Sequence, residues 1–253
     1  MNKLLYLIVL LVLFSCQKQQ KSKVDQTTSI ANSPTADRAS TRSSDHISGL
    51  LTEQEVNAIF TRGVKKQLDM RCAIHSAYKY KDSSSTNDQY LVLTEDRFNF
   101  KEENDTVYNF IKAFDLRYED QQFKKRFTVE DEIDKEWETS IWFWTKYSEI
   151  ADIDHDGKTD IILVYGTTGP DMFTDGKIKI VIFNAGKKTS IRHHNSELND
   201  GRYTKIKKTF YTRSIEMQNA VKEKMRLMEQ NGHARFPTNW QAQMDKKESR
   251  LGE

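Results

Sequence analysis

Ala151-Asp-Ile-Asp-His-Asp-Gly-Lys-Thr-Asp160 lies between two strand-like runs, Ser140 to Ile150 and Ile161 to Tyr165. The runs alternate or are continuously apolar, as strands are, so the ten residues read as a strand-to-strand junction. Counted from Asp152, the four aspartates Asp152, Asp154, Asp156 and Asp160 occupy positions one, three, five and nine, and Gly157 position six. A tightly curled loop turns every second side chain inward, and a hard cation such as Ca²⁺ wants several oxygen ligands. Gly at the sixth position permits a bend that a residue with a Cβ would resist. Lys158, at the seventh, would contribute only its backbone carbonyl and point its charge outward. The competing reading is an acidic β-turn exposed to water. Mutual repulsion among four crowded carboxylates argues against it when no cation is present.

The twelfth position is Leu163 rather than the bidentate Glu of a full EF-hand, and the flanks are strands rather than helices. The nine-residue form instead resembles the calcium loops of integrin-type FG-GAP and related extracellular repeats. That resemblance implies Asp152, Asp154, Asp156, the Lys158 carbonyl and Asp160 as the ligands of a Ca²⁺ ion.

The start of the chain speaks to its compartment. Met1-Asn-Lys3 is followed by the apolar run Leu4 to Phe14, which is too short to span a membrane and suits a secretory signal. The run ends in Leu13-Phe-Ser-Cys16, which resembles the lipobox of bacterial lipoproteins, with Phe14 bulkier than the usual residue. The resemblance implies a signal peptide over 1–15, cleavage before Cys16, and acyl chains on that cysteine that hold the protein at a membrane. Residues 16–46 are rich in Gln, Lys, Ser, Thr, Asn and Asp, too polar to bury a core, and read as a disordered tether. Surface-export signals of some lipoproteins are acidic at this point, whereas the residues after Cys16 are basic, so the resemblance leans toward a periplasm-facing protein over a cell-surface one. The chain has two cysteines, so acylation of Cys16 would leave Cys72 without a partner, most simply a buried small hydrophobe.

Residues 47–240 are enough for one domain with a sizeable core. Its net charge is small, with 39 basic and 37 acidic residues well mixed over the whole chain. There is no basic stripe, so nucleic acid is not an expected partner. Thr52 and Glu55 form a capping box ahead of a helix carrying Val56, Ile59, Phe60 and Val64. Period-two segments follow: Cys72 to Tyr80 with Ile74, Ser76, Tyr78 and Tyr80 on one face, Tyr90 to Thr94, Val107 to Tyr118, and Phe123 to Ile133. Ile161 to Tyr165 reads as a central strand, Ile178 to Ile182 as another, and Asn184 to Lys187 as a hairpin turn. Shorter strands follow near 190–193 and 203–211. An amphipathic helix from Ser214 to Asn231 carries a stripe of Met217, Val221, Met225 and Met228, with Gly232 as its stop. Phe236 to Trp240 reads as an apolar anchor and 241–253 as a charged, frayed tail. The expected fold is α+β, mainly an antiparallel β meander with one helix at each end.

No catalytic set stands out. There is no nucleophile elbow, P-loop, HExxH or cysteine pair, and the six histidines are scattered. His193 and His194 are adjacent, so on a strand they face opposite sides. Glu102-Glu103 and Asp131-Glu132 read as solvated charges. Trp142 and Trp144, two residues apart, could form a sugar-stacking platform, but an aromatic sheet packed beneath a helix reads the same way.

Taken together, several marks resemble small bacterial lipoproteins labelled as linked to surface polysaccharide biosynthesis. They are the lipobox, Tyr90-Leu-Val-Leu-Thr-Glu95, the acidic loop running into Ile161 to Tyr165, a following Lys-Ile strand, and a terminal helix with a Pro-x-x-Trp tail. The resemblance implies a cell-envelope setting and a polysaccharide or protein partner. The expectation is a lipid-anchored, non-enzymatic envelope protein with a structural Ca²⁺. Its competitors are an accessory factor or enzyme acting on envelope polysaccharide, and a carbohydrate-binding module built on Trp142 and Trp144.

Overall fold

The computed structural model describes residues 49–83, 85–98 and 107–252. The expected signal peptide, the acylated Cys16, the 16–46 tether and Glu102-Glu103 lie outside the described residues.

The capping box forms as read. Thr52 N donates to Glu55 Oε2 at 2.8 Å and Glu55 N to Thr52 Oγ1 at 3.3 Å, starting α1 at Glu53–Ile59. The helix does not run through to Val64. Phe60 leaves helical geometry and Thr61 caps a second short helix, α2 (Arg62–Gln67), by accepting from Val64 N. The break lets Phe60 drop into the core beneath both helices.

Four strands, β1 (Ala73–Tyr80), β2 (Gln89–Phe98), β3 (Val107–Glu119) and β4 (Gln122–Glu132), then form an antiparallel meander in sequence order. A second antiparallel sheet takes the rest. Its strands are β5 (Ser140–Phe143), β6 (Glu149–Ala151), β7 (Asp160–Thr168), β8 (Gly176–Asn184), β9 (Lys187–Asn195), β10 (Tyr203–Ile206) and β11 (Arg250–Leu251). They are ordered β11-β10-β9-β8-β7-β5, with β6 also on β7. The architecture is α+β and antiparallel, with the meander divided between two sheets.

Three apolar clusters define four layers. Phe60, Leu68, Val92, Phe114 and Leu116 fill the space between α1–α2 and the first sheet. Leu91, Leu93, Ile111, Leu163, Tyr165 and Val181 join the two sheets face to face. Ile162, Val164, Ile180 and Ile182 meet α3 (Ile215–Gln230), whose Met217, Val221, Met225 and Met228 are all buried. Because β7 is covered on both faces, its apolar run is continuous rather than alternating. α3 begins at the expected Ser214 cap, which accepts from Met217 N, and Gly232 beyond its end has φ +73°.

The run Ser140 to Ile150 is not one strand. A 3-10 turn at Thr145–Tyr147 interrupts it, leaving β5 and β6 as two segments against β7. Ser148 repairs the gap: its Oγ accepts from Val164 N at 2.9 Å and donates to Trp144 O at 3.3 Å, all of it buried. Ser148→Ala would leave the Val164 amide buried without an acceptor and is expected to cost about 1–3 kcal/mol. A urea-unfolding midpoint unchanged in this variant would contradict that role.

The last residues correct another expectation. Residues 241–252 are not a frayed tail. α4 (Trp240–Asp245) buries Trp240 and Met244, and β11 adds to β10 with Leu251 fully buried. Asp245, Lys246, Lys247 and Arg250 are exposed around these elements. Cys72, expected to be buried in a strand, is a half-buried free thiol just before β1, and burial pushes its pKa up.

Candidate metal centre

The acidic loop is the tip of the β6–β7 hairpin, closed by the Ala151–Asp160 pair. Leu163 is a fully buried residue of β7, so the twelfth position is core rather than ligand. Gly157 adopts φ +83°, and a Cβ there would also come within 3.0 Å of Ser83 Oγ, so both conformation and space call for glycine. His155 is exposed and also left-handed, at φ +58°.

Asp152, Asp154 and Asp156 come together, each offering a carboxylate oxygen within 4.8 Å of the others. Two donors of the loop and one from β8 fix one oxygen of each. Gly157 N donates to Asp152 Oδ2 at 3.0 Å, Lys158 N to Asp156 Oδ1 at 2.8 Å, and Asn184 Nδ2 to Asp154 Oδ2 at 2.8 Å. The second oxygens of Asp152 and Asp154 are buried and have no hydrogen-bond partner. The second oxygen of Asp156 meets only the Lys158 ammonium, at 3.8 Å. The Lys158 charge therefore does not point away from the loop, as the sequence implied, but leans along it toward Asp156.

Asp160 does not join the three. As the first residue of β7 it is fully buried, and both its oxygens are engaged: Oδ1 accepts from Asn184 Nδ2 at 2.8 Å and Oδ2 from Ile153 N at 3.2 Å. Burial pushes its pKa up to about 6; the Asn184 bond opposes this, and the Asp154 and Asp156 charges add to it. Asp160 thus lies outside the cluster of three and holds the loop from beneath through Asn184 and Ile153.

Asn184 is the residue that the sequence did not mark. It ends β8 and opens the two-residue turn Ala185-Gly186, whose residues both have positive φ, +49° and +72°. From there one amide bridges Asp154 and Asp160, while Arg213 Nη1 donates to Asn184 O and Oδ1 at 3.1 and 3.2 Å. A second clamp comes from the other sheet, out of the β1–β2 connection. Ser83 donates to Gly157 O through both its amide (3.1 Å) and its hydroxyl (2.6 Å), and Asp82 Oδ1 accepts from Thr159 N at 2.8 Å. Burial works against the Asp82 charge, but the Thr159 amide and Gln89 hold its pKa below the usual range.

Comparison with protein-family models, curated proteins and solved structures returns no match for this chain. The site is therefore read from its own geometry.

The donor set is oxygen only, with two orphaned carboxylate oxygens and a third lightly engaged. That arrangement fits a hard divalent cation.

The other aromatic and charged candidates are placed elsewhere. Trp142 and Trp144 are 1% and 0% exposed, packed beneath α3 with Phe173, so they present no surface on which a sugar could stack. A carbohydrate module built on that pair is ruled out by their burial. Asp131 is half-buried and ion-paired with Lys179 rather than freely solvated. His193 is buried between Thr204 Oγ1 and Asn195 Oδ1, and burial lowers its pKa to about 4; His194 faces the other way, stacked on Tyr203.

Proposed function

We propose that this chain is a lipid-anchored protein of the bacterial cell envelope whose β-sheet domain is braced by a structural Ca²⁺, with a non-enzymatic structural or interaction role. The observation that carries the metal is the pair of orphaned oxygens. Asp152 Oδ1 and Asp154 Oδ1 are buried without a partner, while Gly157 N and Asn184 Nδ2 already fix the companion oxygens. Buried charge without compensation is costly, and a divalent ion supplies the compensation. Asp152, Asp154 and Asp156 would hold the ion. The FG-GAP resemblance adds the Lys158 carbonyl and Asp160 to that set, and Asp160 stands just outside the group of three. Loops of this extracellular type bind at roughly 10⁻⁴ to 10⁻³ M, so the site suits a calcium-rich exterior.

The anchor rests on the lipobox-like Leu13-Phe-Ser-Cys16. Among the described residues no helix is long and apolar enough to cross a membrane. A membrane location would then come through acyl chains, of which two or more give stable binding. Expressed with its leader in a bacterial host, the chain is expected to incorporate radiolabelled palmitate and partition into the detergent phase of a Triton X-114 extraction. Cys16→Ser should lose both. Labelling that persists in Cys16→Ser would remove the anchor from the proposal. The polysaccharide link implied by the lipoprotein resemblance supports the envelope setting and assigns no chemistry.

A further inference from the structure

The face of the second sheet turned away from α3 carries a row of like charges. The register of β8, β9, β10 and β11 sets Lys179 opposite Arg192, Arg192 opposite Lys205, and Lys205 opposite Arg250. All four share one face, because their strand neighbours Ile178, Ile180, Ile191, Ile206 and Leu251 are buried on the α3 side. Paired strands stand about 4.8 Å apart, so the row is about 14 Å long. β4 covers β8 through the stack of Phe127 on Phe183, but beyond it Arg192, Lys205 and Arg250 are exposed. Lys188 and Lys207 add to the same face, both exposed. Burial, and then the charges of Lys207, Arg192 and Lys179, lower the Lys188 pKa. The row leaves no basic stripe in the sequence, because each member comes from a different strand.

Like charges directly opposite one another destabilise a sheet. Here three such pairs stand in line, in a chain whose net charge is only +2. Asp131 relieves Lys179, but Arg192, Lys205 and Arg250 make no ion pair among the described residues. The fold gains nothing from that repulsion, and an anionic partner laid along the row would remove it. Tyr203 holds the row in place: the Arg250 guanidinium lies 4.4 Å from its ring centre, Lys205 Nζ 5.1 Å, and His194 stacks on it at 5.5 Å. A ring covered in this way offers no face for a nucleic-acid base to stack on. The membrane side of the domain also lies elsewhere. The described chain enters at Gly49, bonded to Lys79 of β1. Since β4 lies over β8 while β2 and β3 reach β5 through Glu95–Phe143 and Ser140–Tyr108, going from β4 to β1 leads away from β9–β11.

We propose that this row docks an anionic polysaccharide, one carrying a carboxylate on successive sugar rings. A hexuronic acid ring is about as long as one strand separation, so successive carboxylates meet successive strands along Arg192, Lys205 and Arg250. The row is a flat sheet surface rather than a cleft, which suits an extended polymer better than a small ion. The choice of a polysaccharide rests on the envelope reading above; the row and its repulsion do not, and none of these residues belongs to the acidic loop.

The test is isothermal titration calorimetry of the purified full chain, in a nonionic detergent, with polygalacturonate. Saturable binding is expected, with none to neutral dextran. Lys205→Glu sets a carboxylate between Arg192 and Arg250. It should weaken binding at least tenfold while the melting temperature stays at or above that of the wild type, because the repulsion is relieved. Lys66→Glu on α2 makes the same change in net charge away from the row and should alter the affinity less than twofold. Absence of binding, unchanged affinity in Lys205→Glu, or an equal loss in Lys66→Glu overturns the site. A lower melting temperature in Lys205→Glu overturns the repulsion that argues for it. Double-stranded DNA that binds as tightly, or displacement of the polymer by phosphatidylglycerol added to the micelles, overturns the choice of polysaccharide. Failed palmitate labelling would remove the envelope setting and decide none of these outcomes, so the two readings fail separately.

Discussion

Calcium at about 10 mM is expected to raise the melting temperature of this protein by roughly 3 to 10 °C. The size follows from linkage. With a dissociation constant of roughly 10⁻⁴ to 10⁻³ M, that concentration is about 10 to 100 times the constant and adds about 1.4 to 2.7 kcal/mol. For a domain of this size each kcal/mol moves the midpoint by about 2–4 °C. Asp154→Ala removes one of the two orphaned oxygens and is expected to abolish the gain. Asp160→Asn is the informative companion. Asp160 Oδ1 and Oδ2 are held by Asn184 and Ile153 rather than facing the cluster, so this variant should keep most of the calcium response. If instead Asp160→Asn loses the response as fully as Asp154→Ala, the nine-position loop is the right description and Asp160 swings in to bind. Magnesium, which demands octahedral geometry and gives up water reluctantly, should give the smaller shift. Melting curves that do not respond to calcium would remove the metal from the proposal altogether.

Local features were legible in the sequence wherever a few neighbouring residues decide them. The Thr52–Glu55 box and the Ser214 cap depend on contacts within one turn, and the four-residue stripe of α3 on a period that runs along one helix. What escaped was set by register. Ile74, Ser76, Tyr78 and Tyr80 alternate, yet the bulge at His75 reverses the phase. Ile74 packs under the helices with Ala77, while Tyr78 and Tyr80 face the other sheet. The same slip at Arg126 puts Phe123 and Phe127 on opposite faces although they are four apart. Period two survives only while pairing is regular, and a bulge leaves no mark in composition. The metal loop was half legible for a related reason. The spacing of its aspartates is local, but the residues that clamp it, Asp82, Ser83 and Asn184, come from other hairpins. Spacing alone also could not show that Asp160 is held by Asn184 and Ile153 at the start of the strand. His75 and Glu95 are twenty residues apart on neighbouring strands and meet only through the bulge.

The second large effect is expected at Trp144. Its indole is fully buried at the centre of the cluster beneath α3, edge-on to Phe173 at 5.6 Å and close to Tyr147 and His233. The space it fills is reserved by Gly166 on β7, where a Cβ would come within 2.7 Å of Trp144 Cζ2. No smaller residue packs there without a void, since the surrounding sheet and helix are fixed by their own pairing. Trp144→Ala is expected to cost about 3–5 kcal/mol, a large share of the roughly 5–15 kcal/mol that holds a domain together. Trp144→Phe should cost far less than its lost volume implies. The indole Nε1–H is itself buried without a partner, and removing it recovers about 1–3 kcal/mol of unsatisfied donor. Trp137, 69% exposed on the connection between the sheets, should tolerate Ala within about 0.5 kcal/mol. Urea unfolding of the three variants separates a core role from a surface one. If Trp144→Ala unfolds at the wild-type midpoint, or Trp137→Ala falls as far, then Trp144 is not the central packing residue of the α3 layer.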